Sequence, residues 1–481
     1  MIDVGILDRG AAAPLHEQLA HGIRAAVLAG RVRSGDVVPS TRVLAADLGL
    51  ARGTVVTAYD ILVGEGYLIA RPGGGTVVAE IARPATTAPD PAPSSSLVSD
   101  PSVVDLRPGR PRTTGLVDAA WKSAWRRASS REVAPDVGGA TGDPALREAI
   151  AAHLGRTRGL DVEPDDVIVT AGTSDAMLLT VLALAPRGAR LRVGIENPGY
   201  PRVRRLLARL GAEEVPIPVR LGSGFDLDAA EAHDDLDALI VTPHHHYPLG
   251  SRWDAATRSR LLAWAARTRT VVIEDDYDSE FPHGRVPLPP LQLLDPVNVV
   301  WIGTLSKVLS PSLRCGWIVA TGALRTRIVD ARADLDPSVS RVQQQALALY
   351  LAEGALARHT ARRRRDYRHR RRLLLEAFAD AEGVTLTATD GGLHAVVLLE
   401  NAPPAAEAAV VAALAARGIL VSPLSGYAVP GTVVDLPAGI VLGYAEPSTP
   451  VLMDAVSQII DVVRALTDFA SASRPNPAVR A

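Results

Sequence analysis

Of the 51 basic residues in the chain only Lys122 and Lys307 are lysines, so arginine fills almost every other basic position. Arginine does not form an imine with an aldehyde under ordinary conditions, whereas a lysine amine does. Lys307 sits in Trp301-Ile-Gly-Thr-Leu-Ser-Lys-Val-Leu-Ser-Pro-Ser-Leu-Arg-Cys-Gly-Trp317. Small hydroxylic residues that can line a phosphate pocket, Thr304 and Ser306, precede it, and Arg314 follows seven residues later. An isolated Ser-Lys pair after a strand also reads as an ordinary surface lysine. Upstream, the β-rich run Val271-Val-Ile ends in a burst of carboxylates, Glu274, Asp275 and Asp276, followed by Tyr277 and Asp278. Strands that enter a ligand crevice carry such groups at their carboxyl ends, although three acids at a strand end also fit a solvated edge.

Taken together, these residues resemble the cofactor-lysine signature of fold-type I pyridoxal-phosphate (PLP) enzymes, the aspartate aminotransferase superfamily. The resemblance implies that Lys307 is the internal-aldimine lysine and that Thr304, Ser306 and Arg314 bind or frame the phosphate. It gives Asp275 the place facing the pyridine nitrogen, where a carboxylate keeps the ring protonated and lets it act as an electron sink. Tyr277 would hydrogen-bond the ring's phenolic oxygen. Asp166–Thr170 reads as a strand leading into Ala171-Gly172-Thr173-Ser174, and small residues at such a junction let backbone N–H groups converge on a phosphate. In the family reading Gly172, Thr173 and Ser174 complete the phosphate cup. Tyr200, after Pro198-Gly199, lies against the ring or its substrate side, and Tyr247 lies near the ring oxygen. The adjacent His244, His245 and His246 invite a metal reading. Successive residues of an extended chain point in opposite directions, however, and the sequence offers no matched acidic or cysteine partner, so no metal is expected.

The elements that position these residues form the second part of a longer chain. Residues 14–29 carry Leu15, Leu19, Ile23 and Val27 at helical spacing. Ser40 can cap a helix through Asp47, and a further helix starts near Ala51-Arg52-Gly53-Thr54 and stops at Gly64-Glu65-Gly66. Tyr67–Ala70 and Thr76–Ala79 flank Arg71-Pro-Gly-Gly-Gly75, a hairpin signal. Three short helices and a hairpin describe a winged helix-turn-helix over residues 1–80, and the string from Pro39 to Gly75 resembles the GntR-type domain. That likeness assigns duplex contacts to Arg42, Arg52, Thr54, Arg71 and the glycine wing at Gly74. Seven arginines against eight carboxylates in residues 1–80 give no broad positive field. Affinity must then come from local arginines and a helix N-terminus. Val37, Ala51 and Gly53 depart from the family pattern.

Residues 81–102, rich in Pro, Ala, Thr and Ser, read as a linker, residues 103–470 as the PLP-binding and dimerisation body, and 471–481 as a disordered tail. The fold class expected is therefore multidomain: a winged helix-turn-helix joined to an α/β aminotransferase-like fold (type I) with a smaller C-terminal α/β subdomain that includes the strand from Leu393-His394. A formal charge of -2 neither suggests nor excludes nucleic acid, and the single Cys315 excludes an intrachain disulfide framework. With no signal segment or long apolar span apparent, the chain is expected to be cytoplasmic. The run Arg362–Arg365, extending through Arg372, reads as a long solvated helix in preference to a nucleic-acid contact.

The order of head, linker and body resembles the MocR type of bacterial transcription regulator. The likeness implies a homodimer that binds PLP and double-stranded promoter DNA and responds to PLP or a small amine. Its first target would be vitamin B6 synthesis or salvage. An amino-acid- or amine-responsive regulator and an active aminotransferase are the alternatives. Two departures bear on the ligand: Val441 replaces an arginine that clamps a substrate carboxylate, and Val137 stands near the place of a tyrosine that reaches the neighbouring subunit's phosphate.

Overall fold

A computed structural model describes residues 7–11, 13–71, 75–80, 103–133, 135, 138–185, 190–284, 288–336, 339–432 and 434–472. The chain divides into two compact units, Met1–Leu97 and Val98–Ala481. Gly74, Val137, the linker residues 81–102 and the tail from 473 lie outside the described residues.

In the first unit α1 (Leu15–Leu28), α2 (Thr41–Leu48) and α3 (Arg52–Gly64) pack around Leu19, Ile23, Leu44, Val55, Tyr59 and Leu62. Ser40 caps α2 through its hydroxyl, which accepts from Val43 N at 3.3 Å, and Gly49 closes the helix in a left-handed conformation. The hairpin of β2 (Leu68–Arg71) and β3 (Gly75–Val78) gains a third strand, β1 (Val37–Val38), paired antiparallel with β3. Two valines gave no alternation long enough to reveal β1 from sequence.

The second unit is built on an eight-stranded sheet. Its strands are β5 (Val167–Thr170), β6 (Arg192–Asn197), β7 (Glu213–Arg220), β8 (Gly224–Phe225), β9 (Ala238–Val241), β10 (Val271–Asp276), β11 (Val299–Thr304) and β12 (Gly316–Val319); a short β4 (Val104–Asp105) precedes them. Their order is β5-β12-β11-β10-β9-β6-β7-β8, with β11, β10, β9, β6 and β7 mutually parallel and β12 antiparallel to both neighbours. The strands β5, β9, β10, β11 and β12 are buried along their whole length, as expected of a sheet covered on both faces. Gly303 is required here because a Cβ at that position would come within 2.5 Å of the buried Trp317 ring.

A smaller sheet contains β13 (Val384–Thr387), β14 (His394–Leu399), β16 (Ser422–Pro423) and β17 (Gly439–Gly443), and β15 (Ile419–Leu420) pairs in parallel with β4. The chain's last helix, Thr449–Ala472, runs two residues into the expected tail.

The arginine-rich helix Ala355–Phe378 corrects the sequence reading of a solvated helix. Arg362, Arg365, Arg368 and Arg372 are exposed, but Arg370 is fully buried. It donates to the carbonyls of Tyr444, Ala445 and Pro447 at 3.1, 3.1 and 2.5 Å and to Asp366 at 3.1 Å. Arg363, Arg364 and Arg371 likewise donate to the carbonyls of Thr114, Glu280 and Thr389. A charge run conceals which members face inward, because all of them look alike in composition. Replacing Arg370 with Met strands those carbonyls and should cost on the order of 3 kcal/mol in urea unfolding of the body. Arg365→Met should change it by less than about 0.5 kcal/mol; equal effects of the two would contradict this division of the helix.

Candidate functional site

A cavity of about 260 Å³ opens beyond the carboxyl ends of the parallel strands, the usual crevice of an open α/β sheet. Lys307, Asp275, Tyr277, Thr304, Ser306, Arg314, Thr173, Ser174, Tyr200 and Tyr247 all line it. The expected residues, up to 141 positions apart between Thr173 and Arg314, are thus brought together, and Gly172 abuts the same wall.

The strand period decides which acid faces the cavity. Glu274, Asp275 and Asp276 are consecutive in β10, so Asp275 points one way and its neighbours the other. Behind the sheet Asp276 pairs with Arg158 at 2.6 Å. Burial alone would raise Asp276, but Arg158 and His244 overcome it and keep the carboxyl low. Burial, with Asp276 adding to it, pushes Glu274 up to about 8. On the cavity side burial pushes Asp275 up to about 7, Asp276 adds to the effect and Lys307 opposes it; its Oδ1 is buried without a hydrogen-bond partner. A carboxylate with an orphaned oxygen aimed into a cavity fits a protonated ring nitrogen.

Lys307 is in the turn after β11, and its Nζ donates to the carbonyl of Gly109 at 3.0 Å. Gly109 has φ 100, and a Cβ there would approach Nζ to 2.9 Å, so a side chain would displace the amine. Burial lowers the Lys307 pKa, partly opposed by Asp278 and Asp275. This direction favours the neutral, nucleophilic amine.

At the other end of the cavity Gly172, at φ 87, lets the chain turn into the helix Thr173–Leu184. The first-turn N–H groups of Thr173 and Ser174, the hydroxyls of Thr304 and Ser306 (3.0 Å apart) and Arg314 make a cup for an anion. Arg314 has φ 45, and among the described residues its guanidinium has no acidic partner. The residues present therefore fit PLP: an amine, an opposed carboxylate and a phosphate cup occupy one cavity.

Between these ends stand aromatic rings. Tyr247 meets Tyr200, Tyr277 and Tyr427 edge-to-face at centroid distances of 5.9, 5.8 and 5.2 Å, and its hydroxyl donates to Tyr427 Oη at 3.0 Å. Burial holds the Tyr247 and Tyr277 hydroxyls protonated, well above the usual tyrosine range. The cavity also contains Arg110, Arg202, Asp278 and His394, which the sequence reading did not assign. Arg110 pairs with Asp105 at 2.7 Å, whereas Arg202 has no acidic partner among the described residues. Val441 is fully buried in β17 between Val396 and Ser422 and does not line the cavity.

The three adjacent histidines lie in a turn, not in the expected extended chain, and their rings still diverge. His244 Nε2 meets Arg158 at 2.8 Å, His245 Nδ1 meets Asp278 at 2.9 Å, and His246 Nε2 meets the Pro198 carbonyl at 3.0 Å. Asp278 is the acidic partner that sequence inspection did not find, because 33 residues separate it from His245. Polar atoms of His245, Asp278 and His394 lie within 4.8 Å of one another.

In the winged unit Arg52 is the first residue of α3, with Thr54 in the same turn, while Arg42 is on α2 and Arg71 ends β2. All three arginines are exposed, and none has an acidic partner among the described residues. The exposed Val37, Val43 and Val56 accompany them.

Residues 101–434 match the family Aminotransferase class I and II, and residues 15–78 match Bacterial regulatory proteins, gntR family. The chain is 40% identical over 446 residues to the HTH-type pyridoxine biosynthesis transcriptional regulator PdxR of Corynebacterium glutamicum, covering 93% of this chain and 95% of that protein. It is 34% identical over 442 residues to the probable rhizopine catabolism regulatory protein MocR of Rhizobium meliloti, covering 87% and 88%. The chain belongs to the MocR-type family. Among solved structures, this MocR-type chain matches the α-aminoadipate aminotransferase LysN of Thermus thermophilus with a TM-score of 0.68 at 23% identity, over 77% of this chain and 94% of that one. A kynurenine aminotransferase of Pyrococcus horikoshii gives a TM-score of 0.67 at 22% identity, over 77% and 93%. These establish the aminotransferase fold of the MocR-type body. Among the described residues no helix is long and apolar enough to cross a membrane.

The burial of Lys307 has a direct consequence for its chemistry. Competitive acylation of the cofactor-free protein across a pH series should show Lys307 reacting with a midpoint below the ordinary lysine range, and a midpoint in or above that range would contradict the assigned environment.

Proposed function

We propose that this chain is a PLP-binding, DNA-binding transcription regulator that acts as a homodimer, reads PLP itself and controls vitamin B6 synthesis or salvage. The observation that carries the cofactor reading is the convergence of Lys307, the orphaned Asp275 carboxylate and the unpaired Arg314 on one cavity. When bound, PLP supplies an aldehyde for the amine of Lys307 and a ring that takes up electrons. In this reading Lys307 holds the cofactor, Asp275 keeps a proton at the ring nitrogen and Tyr277 bonds the ring oxygen. Tyr200 and Tyr247 confine the ring, and Gly172, Thr173, Ser174, Thr304, Ser306 and Arg314 hold the phosphate.

Duplex binding is supported by the winged helix-turn-helix, whose α3 offers its N-terminus with Arg52 and Thr54, and by the exposed Arg42 and Arg71. The vitamin B6 target is supported by the 40% identity to a regulator named for pyridoxine biosynthesis. A second reading, response to an anionic amine, draws support from Arg202, which brings a cation without an acidic partner to the cavity although Val441 brings none.

Footprinting of the DNA beside the chain's own gene separates these readings. Protection should change with PLP alone, and borohydride reduction should fix the adduct on the peptide containing Lys307. A change that requires a particular amino acid would favour the second reading, and rapid multiple turnover without DNA dependence would favour an aminotransferase. Arg52→Ala should weaken protection on the order of tenfold, a loss of about 1–3 kcal/mol; unchanged specific protection would reject that contact.

A further inference from the structure

We propose that α3, the second helix of the helix-turn-helix, reads thymine methyl groups through Val56 and the methyl of Thr57, so that the duplex it selects carries A·T pairs where these side chains meet the groove. This inference rests on the duplex-binding reading above and adds to it which bases are told apart.

The inner face of α3 is fixed by packing. Val55, Ala58, Tyr59 and Leu62 are buried in the core of the winged unit. Tyr59 Oη donates to the Pro39 carbonyl at 2.8 Å, which ties α3 to the chain entering α2, and Gly49, at φ 59, begins the turn between the two helices. At 3.6 residues per turn the outward face then consists of Gly53, Val56, Thr57 and Asp60, with Arg52 at its N-terminal edge, and all five are exposed. In a helix-turn-helix the second helix lies in the major groove and its N-terminal residues meet the base edges.

Readout by hydrogen bonds needs side-chain donors and acceptors on that face, and beyond Arg52 its first two turns are poor in them. Gly53 has no side chain, and among the described residues no atom lies within 4 Å of a Cβ built there, so nothing else fills the place. Thr57 Oγ1 donates to the Gly53 carbonyl at 3.0 Å, which commits its one hydroxyl proton to the helix and leaves it a methyl group to present. Val56 is apolar and 37% exposed. Asp60 stands a turn further from the N-terminus. Valine is a weaker helix former than the straight-chain residues, so helix stability does not explain Val56, but its stiff χ1 holds an apolar fork in place at little entropic cost.

The major groove carries one apolar mark, the C5 methyl group of thymine, whereas the other bases are distinguished there by donors and acceptors. Val56 and the Thr57 methyl set against that group remove apolar surface from water and strand no donor. The occupant is a duplex because Arg42 on α2 and Arg52 on the edge of this same face are exposed and have no acidic partner among the described residues. With seven arginines against eight carboxylates in residues 1–80, no broad positive field does the selecting, and discrimination falls to such local contacts.

The proposal is tested with duplexes selected from a randomised pool by the full-length wild-type protein, with and without PLP. Thymines of a selected duplex are then replaced one at a time by deoxyuridine, which removes the methyl group and keeps the base pair. Affinity should fall about fourfold at two positions of a half-site, the worth of one buried methyl group at each. Val56→Ala should remove the fall at one position, and Thr57→Ser, which keeps the hydroxyl and loses the methyl, should remove it at the other. A merely structural role for these residues would weaken thymine and uracil duplexes by the same factor, and wild-type ratios in both variants overturn the proposal. Indifference of the wild-type protein to every uracil overturns it as well. If the selected sequence instead loses its discrimination in Asp60→Asn while its thymines are indifferent to uracil, a hydrogen-bonded readout replaces the apolar one. Failure of the wild-type protein to enrich any duplex overturns the duplex-binding reading, and the proposal falls with it.

Discussion

Three consecutive carboxylates in one fully buried strand set the terms for the body of this protein. Two lie behind the sheet, where Asp276 is paired with Arg158 and Glu274 is pushed toward its protonated form, and the third enters the cavity with one oxygen unpartnered. Isolated burial of even one carboxylate is costly, and behind β10 Arg158 and Arg258 supply the positive charge that offsets it. The alternation of a strand thereby separates a structural ion network from a reactive site one residue away.

Around that strand the close approaches are made by glycine. Gly303 makes room for Trp317, Gly109 for the amine of Lys307, and Gly172 turns the chain so that a helix N-terminus meets Arg314. Gly303 serves packing alone, whereas Gly109 and Gly172 set the positions of the Lys307 amine and of the helix N-terminus. The shape of the anion cup and the burial of the amine are thus set by packing.

Much of this was legible in the sequence, for reasons that differ from residue to residue. Lys307 stood out because almost every other basic position is arginine, and the Asp275–Tyr277 segment stood out because a β-rich run ends there in carboxylates, as strands entering a ligand crevice do. The helices of the winged unit were readable from Ser40 and Gly64, whose backbone roles are local. What stayed hidden depends on distant pairing: Asp278 with His245 across 33 positions, Arg202 beside a cavity made by other strands, and β1, too short to show a period. The arginine run misled because inward and outward members of a helix share one composition, and only the carbonyls around Arg370 distinguish them.

In the proposed regulator one amine couples the cofactor site to the duplex-binding head. The most direct test of this coupling is the PLP dependence of specific DNA protection by the wild-type protein and by Lys307→Ala, both in full-length form. The account predicts that PLP changes protection by the wild type and leaves protection by Lys307→Ala unchanged. An equal PLP response from both proteins would contradict it.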